Sequence, residues 1–244
     1  MCRLFGWAGQ EPTSAATALG KDVEHLQRLS RVHQDGWGVA WQAADGLHLV
    51  RDAGPAHAAA DFAPTLGAAV GFLGVVHLRW ATGNIPVCLP NTHPFVRGQV
   101  AFCHNGSVPD HTRLDALVDA DLADSMAGTN DSERYFLALL SARRRGASVL
   151  EAFSEVIGAL DDVEYPSLNA MWAEPGKLYV VAAHHAERRP AGTMPDYYDL
   201  QYETDGGITT VWSTQVRDDV GVPLSNWSIL TLTAQSGGVA VSAL

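Results

Sequence analysis

Met1-Cys2-Arg3-Leu4-Phe5-Gly6-Trp7-Ala8-Gly9 is the stretch on which the reading of this 244-residue chain turns. A cysteine directly behind an initiator methionine is small enough for aminopeptidase trimming, which would expose Cys2 as the first residue of the mature protein. Its thiol and free α-amino group would then share one residue, a nucleophile with a candidate general base attached. An α-amino group has a pKa of about 7.7–8.0, close to a neutral working pH, whereas Lys and Arg hold their protons too tightly. The plain alternative is a small apolar cysteine at the start of a strand.

Outward from that opening, Phe5 to Ala8 reads as a short strand, and Leu19, Val23, Leu26 and Leu29 lie at helical spacing. Residues 38–41 and 47–52 read as a hairpin around Ala43-Ala44-Asp45-Gly46. Apolar strands follow over 74–81 and 100–104. Asn130-Asp131-Ser132-Glu133 has the spacing of a capping box and opens a helix through Tyr135, Leu139 and Leu140. A second helix covers 149–160, with Phe153, Val156 and Ile157 on its apolar face. The last third predicts strands over 168–173, 178–183, 208–214, 229–234 and 239–243, the first two joined by Glu174-Pro175-Gly176-Lys177. Arg188 to Gly207 reads as a long loop. Helices between sets of hairpin-linked strands predict an α+β fold of stacked antiparallel sheets flanked by helices. No repeat or linker divides the chain, so residues 2–244 are expected to form a single domain.

With 47% apolar and 18% charged residues, the composition is that of a globular protein. Sixteen basic residues against 27 acidic ones give a formal charge of −11, which disfavours nucleic acid and anionic membranes as partners. The longest basic run, Arg143-Arg144-Arg145, falls near a predicted helix end, where cations complement the dipole. Three cysteines imply no disulfide framework. The opening has no secretory pattern, and the longest apolar stretch, 68–76, is short for a bilayer, so a cytoplasmic location is expected. There is no HExxH and no CxxC, and His184-His185 would face opposite sides of a strand. Neither a metal nor a cofactor is expected.

Six further positions can carry chemistry. Arg79, near the exit of a buried strand, needs an anionic partner, either an internal carboxylate or a substrate carboxylate held by its fork. Asn105-Gly106 is a common turn pair, but a side-chain amide beside a glycine N–H also makes two donors that can meet one oxygen. Asp131 suits a helix N-terminus, or could instead accept from a substrate ammonium. His93 and His33 read first as hydrogen-bonded structural histidines.

Taken in order, Cys2, Asp35-Gly36-Trp37-Gly38, His77-x-Arg79-Trp80-Ala81-Thr82, Asn91-x-His93-Pro94-Phe95, His104-Asn105-Gly106 and Asn130-Asp131-Ser132-Glu133 resemble the class II glutamine amidotransferases of the N-terminal nucleophile hydrolase type. The resemblance implies a four-layer αββα sandwich. It implies Cys2 as nucleophile with its own α-amine as base, and Asn105 and Gly106 as the oxyanion hole. It also implies Arg79 and Thr82 on the glutamine α-carboxylate and Asp131 on its α-amino group, with His93 kept among the substrate-pocket residues. Many members carry a histidine where this chain has Gly83. The implied reaction is hydrolysis of the γ-amide of glutamine, or of another γ-glutamyl amide, through a γ-glutamyl thioester, with an ammonia-accepting partner protein. Two alternatives are a γ-glutamyl amide hydrolase like the standalone relatives of ergothioneine synthesis, and a catalytically silent γ-glutamyl-binding module.

Overall fold

The computed structural model describes residues 2–217 and 221–244, so the expected removal of Met1 falls outside the described residues. The chain begins with β1 (Arg3–Ser14), α1 (Ala15–Leu19), α2 (Val23–Leu29), β2 (Trp37–Ala43), β3 (Gly46–Asp52), α3 (Phe62–Ala68) and β4 (Val70–Leu78). It continues through β5 (Phe95–Arg97), β6 (Val100–Ser107), α4 (Thr112–Leu117), α5 (Ala120–Asp124), α6 (Asp131–Arg144) and α7 (Val149–Gly158). It closes with β7 (Ser167–Glu174), β8 (Lys177–Ala182), β9 (Leu200–Asp205), β10 (Ile208–Ser213), β11 (Val222–Pro223), β12 (Ser228–Thr233) and β13 (Gly238–Ala243).

The strands form two sheets, ordered β11-β9-β10-β1-β4-β2-β3 and β13-β12-β8-β7-β6-β5. Every pairing is antiparallel. Period-2 alternation sorts the side chains into layers. In β1, Leu4 and Ala8 face the other sheet, while Phe5 and Trp7 pack beneath helices. Between the sheets, Leu4, Val75 and Val211 meet Cys103, Met171, Val180 and Leu230. Outside the first sheet, Leu19, Leu26, Phe62 and Leu66 cover Trp7, Trp37 and Trp212. Outside the second, Phe136, Leu139, Phe153 and Val156 cover Phe102, Trp172 and Ile229. Each large apolar side chain so buried contributes about 1.5–3 kcal/mol. These layers are the expected αββα sandwich. Gly74 lies opposite Trp7, and a Cβ there would stand 2.2 Å from the indole, so only glycine admits that ring.

The hairpins at 43–46 and 174–177 form as predicted, each with a two-residue turn. Four expectations need correction. The predicted strand over 74–81 ends at Leu78, because Arg79 leaves the sheet to bond the Asp35-Gly36 turn. The single helix through Leu19 and Leu29 is broken at Gly20, whose φ of 60° no helix tolerates. The segment 188–207 is only partly loop: Leu200–Asp205 pairs with β10 across Gly206-Gly207. Asn130 does cap α6 by accepting from the Glu133 N–H at 3.0 Å. Glu133, however, turns to the N–H groups of Ala127 and Gly128 and to Arg97, and no reciprocal bond to Asn130 forms. The complete capping box is at α7, between Ser148 and Glu151. Among the described residues, no helix is long and apolar enough to cross a membrane.

Candidate active site

Strands β1 and β4 are antiparallel neighbours with Arg3 opposite Leu78, so Cys2 and Arg79 emerge at one end of the first sheet. Strand β6 of the facing sheet brings Asn105 and Gly106 toward that end, and α6 begins there with Asp131. Cys2, Arg79, Thr82, His93, Gly106 and Asp131 line one narrow cleft. Asn105 stands directly behind Gly106 in the strand, fully buried in the wall.

The Cys2 thiol is 7% exposed and donates weakly to the Trp80 carbonyl at 3.8 Å. Burial pushes its pKa up, against the opposing charges of Arg79 and Arg3. The resting group is therefore the neutral thiol, which needs a base at the moment of attack. Arg79 is buried and donates to the carbonyls of Asp35 (3.2 Å) and Pro86 (3.4 Å). Among the described residues it makes no carboxylate ion pair, which removes the internal salt bridge as its explanation. A buried guanidinium without a counter-ion is costly, and an incoming carboxylate would relieve that cost.

The turn before β2 holds this arginine. Arg79 N–H donates to the Gly36 carbonyl at 2.8 Å, and the Asp35 carboxylate accepts from Ala81 N–H at 2.8 Å. Gly36 has φ 127°, a conformation that suits glycine.

Asn105 presents the strongest anomaly. Neither its amide nitrogen nor its amide oxygen has a partner, although the residue is fully buried. An unmet buried polar group costs about 1–3 kcal/mol. Beside it, Gly106 admits no side chain: a Cβ would lie 1.7 Å from the Ser167 carbonyl oxygen. Asp131 is the first residue of α6, and its Oδ2 accepts from Val108 N–H at 2.6 Å. Helix-end placement and exposure to the cleft are thus combined in one carboxylate. His93 is not the hydrogen-bonded histidine expected, because both ring nitrogens lack partners. It stacks on His77 with centroids 4.2 Å apart and meets Phe95 edge-on.

His77, His93 and His104 form a buried group under the cleft. His104 bonds Ser132 Oγ (2.9 Å) and the Ser167 carbonyl (3.2 Å), and His77 meets the His104 carbonyl (3.3 Å). Burial lowers all three pKa values, that of His77 to about 3. Among the described residues, no group of three or more His, Cys, Asp or Glu is arranged to hold a metal ion. Unfolded imidazole takes up its proton near pH 6.5, whereas folded His77 resists until about 3. Its stabilising contribution is full above pH 6.5 and is lost as pH falls, by about 2 kcal/mol at pH 5. Urea unfolding at pH 7 and pH 5 should show a loss of several kcal/mol, with His93 adding in the same direction. His93→Phe should shrink that difference, because burial holds the His93 pKa well below its ordinary value; an unaltered difference would mean the histidines are not its source.

Sequence reasoning gave no role to Trp80, Arg3 or Asp35. The sequence signal for Arg3 is a charge at the head of an otherwise apolar strand. Asp35 was visible only as part of a turn.

Comparison with known proteins agrees with this arrangement. The family model described as glutamine amidotransferases class-II matches residues 1–182. The isomerizing glutamine–fructose-6-phosphate aminotransferase of Rhizobium leguminosarum bv. viciae is 31% identical over 233 residues, covering 89% of this chain and 36% of that enzyme. The enzyme of the same description from Thermus thermophilus is 31% identical over 165 residues, covering 66% of this chain and 25% of that enzyme. This chain therefore spans about a third or less of the length of either relative. A glutamine aminotransferase class-II domain protein from Silicibacter pomeroyi superposes with a TM-score of 0.68 at 20% identity, covering 100% of this chain and 99% of that one. The glutamine phosphoribosylpyrophosphate amidotransferase of B. subtilis gives 0.64 at 18% identity, covering 99% and 49%. At those identities the two structures speak for the fold.

Proposed function

Because this chain belongs to the class II glutamine amidotransferases, we propose that it hydrolyses the γ-amide of glutamine, or of a γ-glutamyl amide, through a thioester on Cys2. Removal of Met1 is part of the proposal, since it frees the α-amine of Cys2. The observation that carries it is the convergence of Cys2, Arg79, Thr82, Gly106 and Asp131 on one cleft, backed by the partnerless amide of Asn105.

Arg79 and Thr82 take the substrate α-carboxylate and Asp131 takes the α-ammonium, leaving the γ-carbonyl against Cys2. The α-amine of Cys2 accepts the thiol proton, through a water, as sulfur bonds to the carbonyl carbon. The negative oxygen is met by Asn105 Nδ2 and Gly106 N–H. Collapse breaks the carbon–nitrogen bond, and the proton passes to the leaving nitrogen. Water then cleaves the thioester, giving glutamate and the free thiol. The ammonia or amine released goes to a partner protein.

Glutamate release from L-glutamine by the purified protein tests the reading directly; its absence from both glutamine and γ-glutamyl amides overturns it. Arg79→Lys replaces a two-point fork with a single ammonium. The expected outcome is a rise in KM for glutamine of about tenfold or more, with a smaller change in kcat. An unchanged KM would remove Arg79 from the carboxylate site.

A further inference from the structure

A second cavity, of about 280 Å³, opens on the other side of Trp80, lined by Arg3, His33, Trp80, Thr193, Met194 and Tyr197 among others. It adjoins the nucleophile closely. Arg3 follows Cys2 and donates to its carbonyl oxygen at 3.0 Å, while Trp80, common to both cavities, receives the Cys2 thiol. The residues proposed for the glutamyl head, Thr82 and Asp131, open instead onto a different hollow, with Ile85 and Val108. Cys2 shares its cleft with Thr82 and Asp131, and Trp80 is the residue common to that cleft and the second cavity.

Ammonia, about the size of water, needs about 10–15 Å³ of such space. The cavity is some twenty times larger and lies close to the lower bound of the range of about 300–1,000 Å³ typical of ligand pockets. Its walls mix flat rings and an apolar thioether with one cation. Arg3 is 1% exposed, its guanidinium lies 4.3 Å over the Tyr197 ring, and its Nε has no hydrogen-bond partner. Its bonds run to the Cys2 carbonyl and Gln215 Oε1, and its side chain also hydrogen-bonds that of Tyr197. Among the described residues it makes no carboxylate ion pair. A buried guanidinium with the Asp196 charge nearby but no carboxylate in direct ion-pair contact can still take a ligand carboxylate.

We propose that this cavity receives the leaving amine, and that the preferred substrate is a γ-glutamyl amino acid whose amine part carries an apolar or aromatic side chain and a free carboxylate directed to Arg3. The inference rests on the Cys2 reading of the site. It adds the substrate class and makes Arg3, Trp80 and Tyr197 determinants of specificity. The reaction balances as amide plus water giving glutamate and the free amino acid, the amide C–N bond exchanged for C–O and the proton carried to the departing nitrogen.

The experiment compares kcat/KM, by glutamate release, for L-glutamine, γ-L-glutamyl-L-phenylalanine and the decarboxylated analogue γ-L-glutamyl-2-phenylethylamide. The expected result is γ-glutamyl-phenylalanine at least about tenfold above each of the other two. Thr193→Trp, which fills the cavity from a loop without disturbing the sheets, should lower the γ-glutamyl-phenylalanine to glutamine ratio by about tenfold or more. Glutamine matching γ-glutamyl-phenylalanine, equal rates for the acid and its decarboxylated analogue, or a ratio indifferent to Thr193→Trp overturns the inference and leaves the glutaminase reading standing. Hydrolysis of none of the three overturns both.

Discussion

Cys2→Ala should abolish glutamate release, by more than about 10⁴-fold, while the folded protein remains as stable as before. The two halves of that expectation come from different observations. The thiol contributes one weak 3.8 Å contact to the fold, so alanine removes little. The proposed covalent step, by contrast, cannot proceed without sulfur. Intact mass before and after exposure to an electrophilic glutamine analogue supplies the complementary result. The wild-type protein should lack Met1 and gain one adduct that maps to Cys2, and Cys2→Ala should gain none. Substantial turnover by the alanine variant, or an adduct on Cys88 or Cys103 instead, would displace Cys2 as nucleophile. The same masses judge the base: a retained Met1 blocks the amine and favours a silent binding module. The neutral, burial-raised thiol also fixes the direction of the pH profile. The rate should rise with pH through about 7.7–8.0 as the α-amine loses its proton.

Asn105→Ala should lower kcat by about 10²–10³ with little change in KM, because the oxyanion exists only in the tetrahedral states. Most buried asparagines lose stability on truncation because they abandon a partner. Asn105 has none to abandon, and what alanine forfeits in packing is offset by removal of a desolvated amide. The expected pair of results is therefore a large kinetic loss with a midpoint of urea unfolding that barely moves. A large loss of stability with preserved kcat would make Asn105 a structural residue.

The architecture was legible because strand periodicity and turn chemistry are local. Glu174-Pro175-Gly176-Lys177 can do little except reverse the chain, and the structure pairs Glu174 with Lys177. Legibility failed where a distant partner decided the outcome. Leu200–Asp205 reads as part of a Pro- and Gly-rich loop until Ile208–Ser213 is beside it to complete a hairpin. Arg79 keeps the apolar company of a strand, yet a turn more than forty residues earlier draws it out of the sheet. Glu133 has the spacing to reach back to Asn130, but Arg97 and two loop N–H groups compete successfully for it. Within the site, Cys2, Arg79, Asn105, Gly106 and Asp131 could be named from motifs. The emptiness around the Asn105 amide and the cavity beyond Trp80 are properties of packing, and no motif encodes them.

The position of β1 has a consequence for how the molecule is made. The strand that follows Cys2 is central, hydrogen-bonded to β4 on one side and to β10 on the other. Leu4 and Ser213, which share a hydrogen bond across that second seam, are 209 residues apart in sequence. At about 5–20 residues per second, the ribosome takes roughly 10–40 s to deliver the second partner after the first. Throughout that interval the apolar strand has a free edge, and the cysteine ahead of it is accessible to processing enzymes and oxidants alike. The proposed removal of Met1 would therefore fall on the nascent chain, before β10 closes the sheet and the thiol passes into the interior.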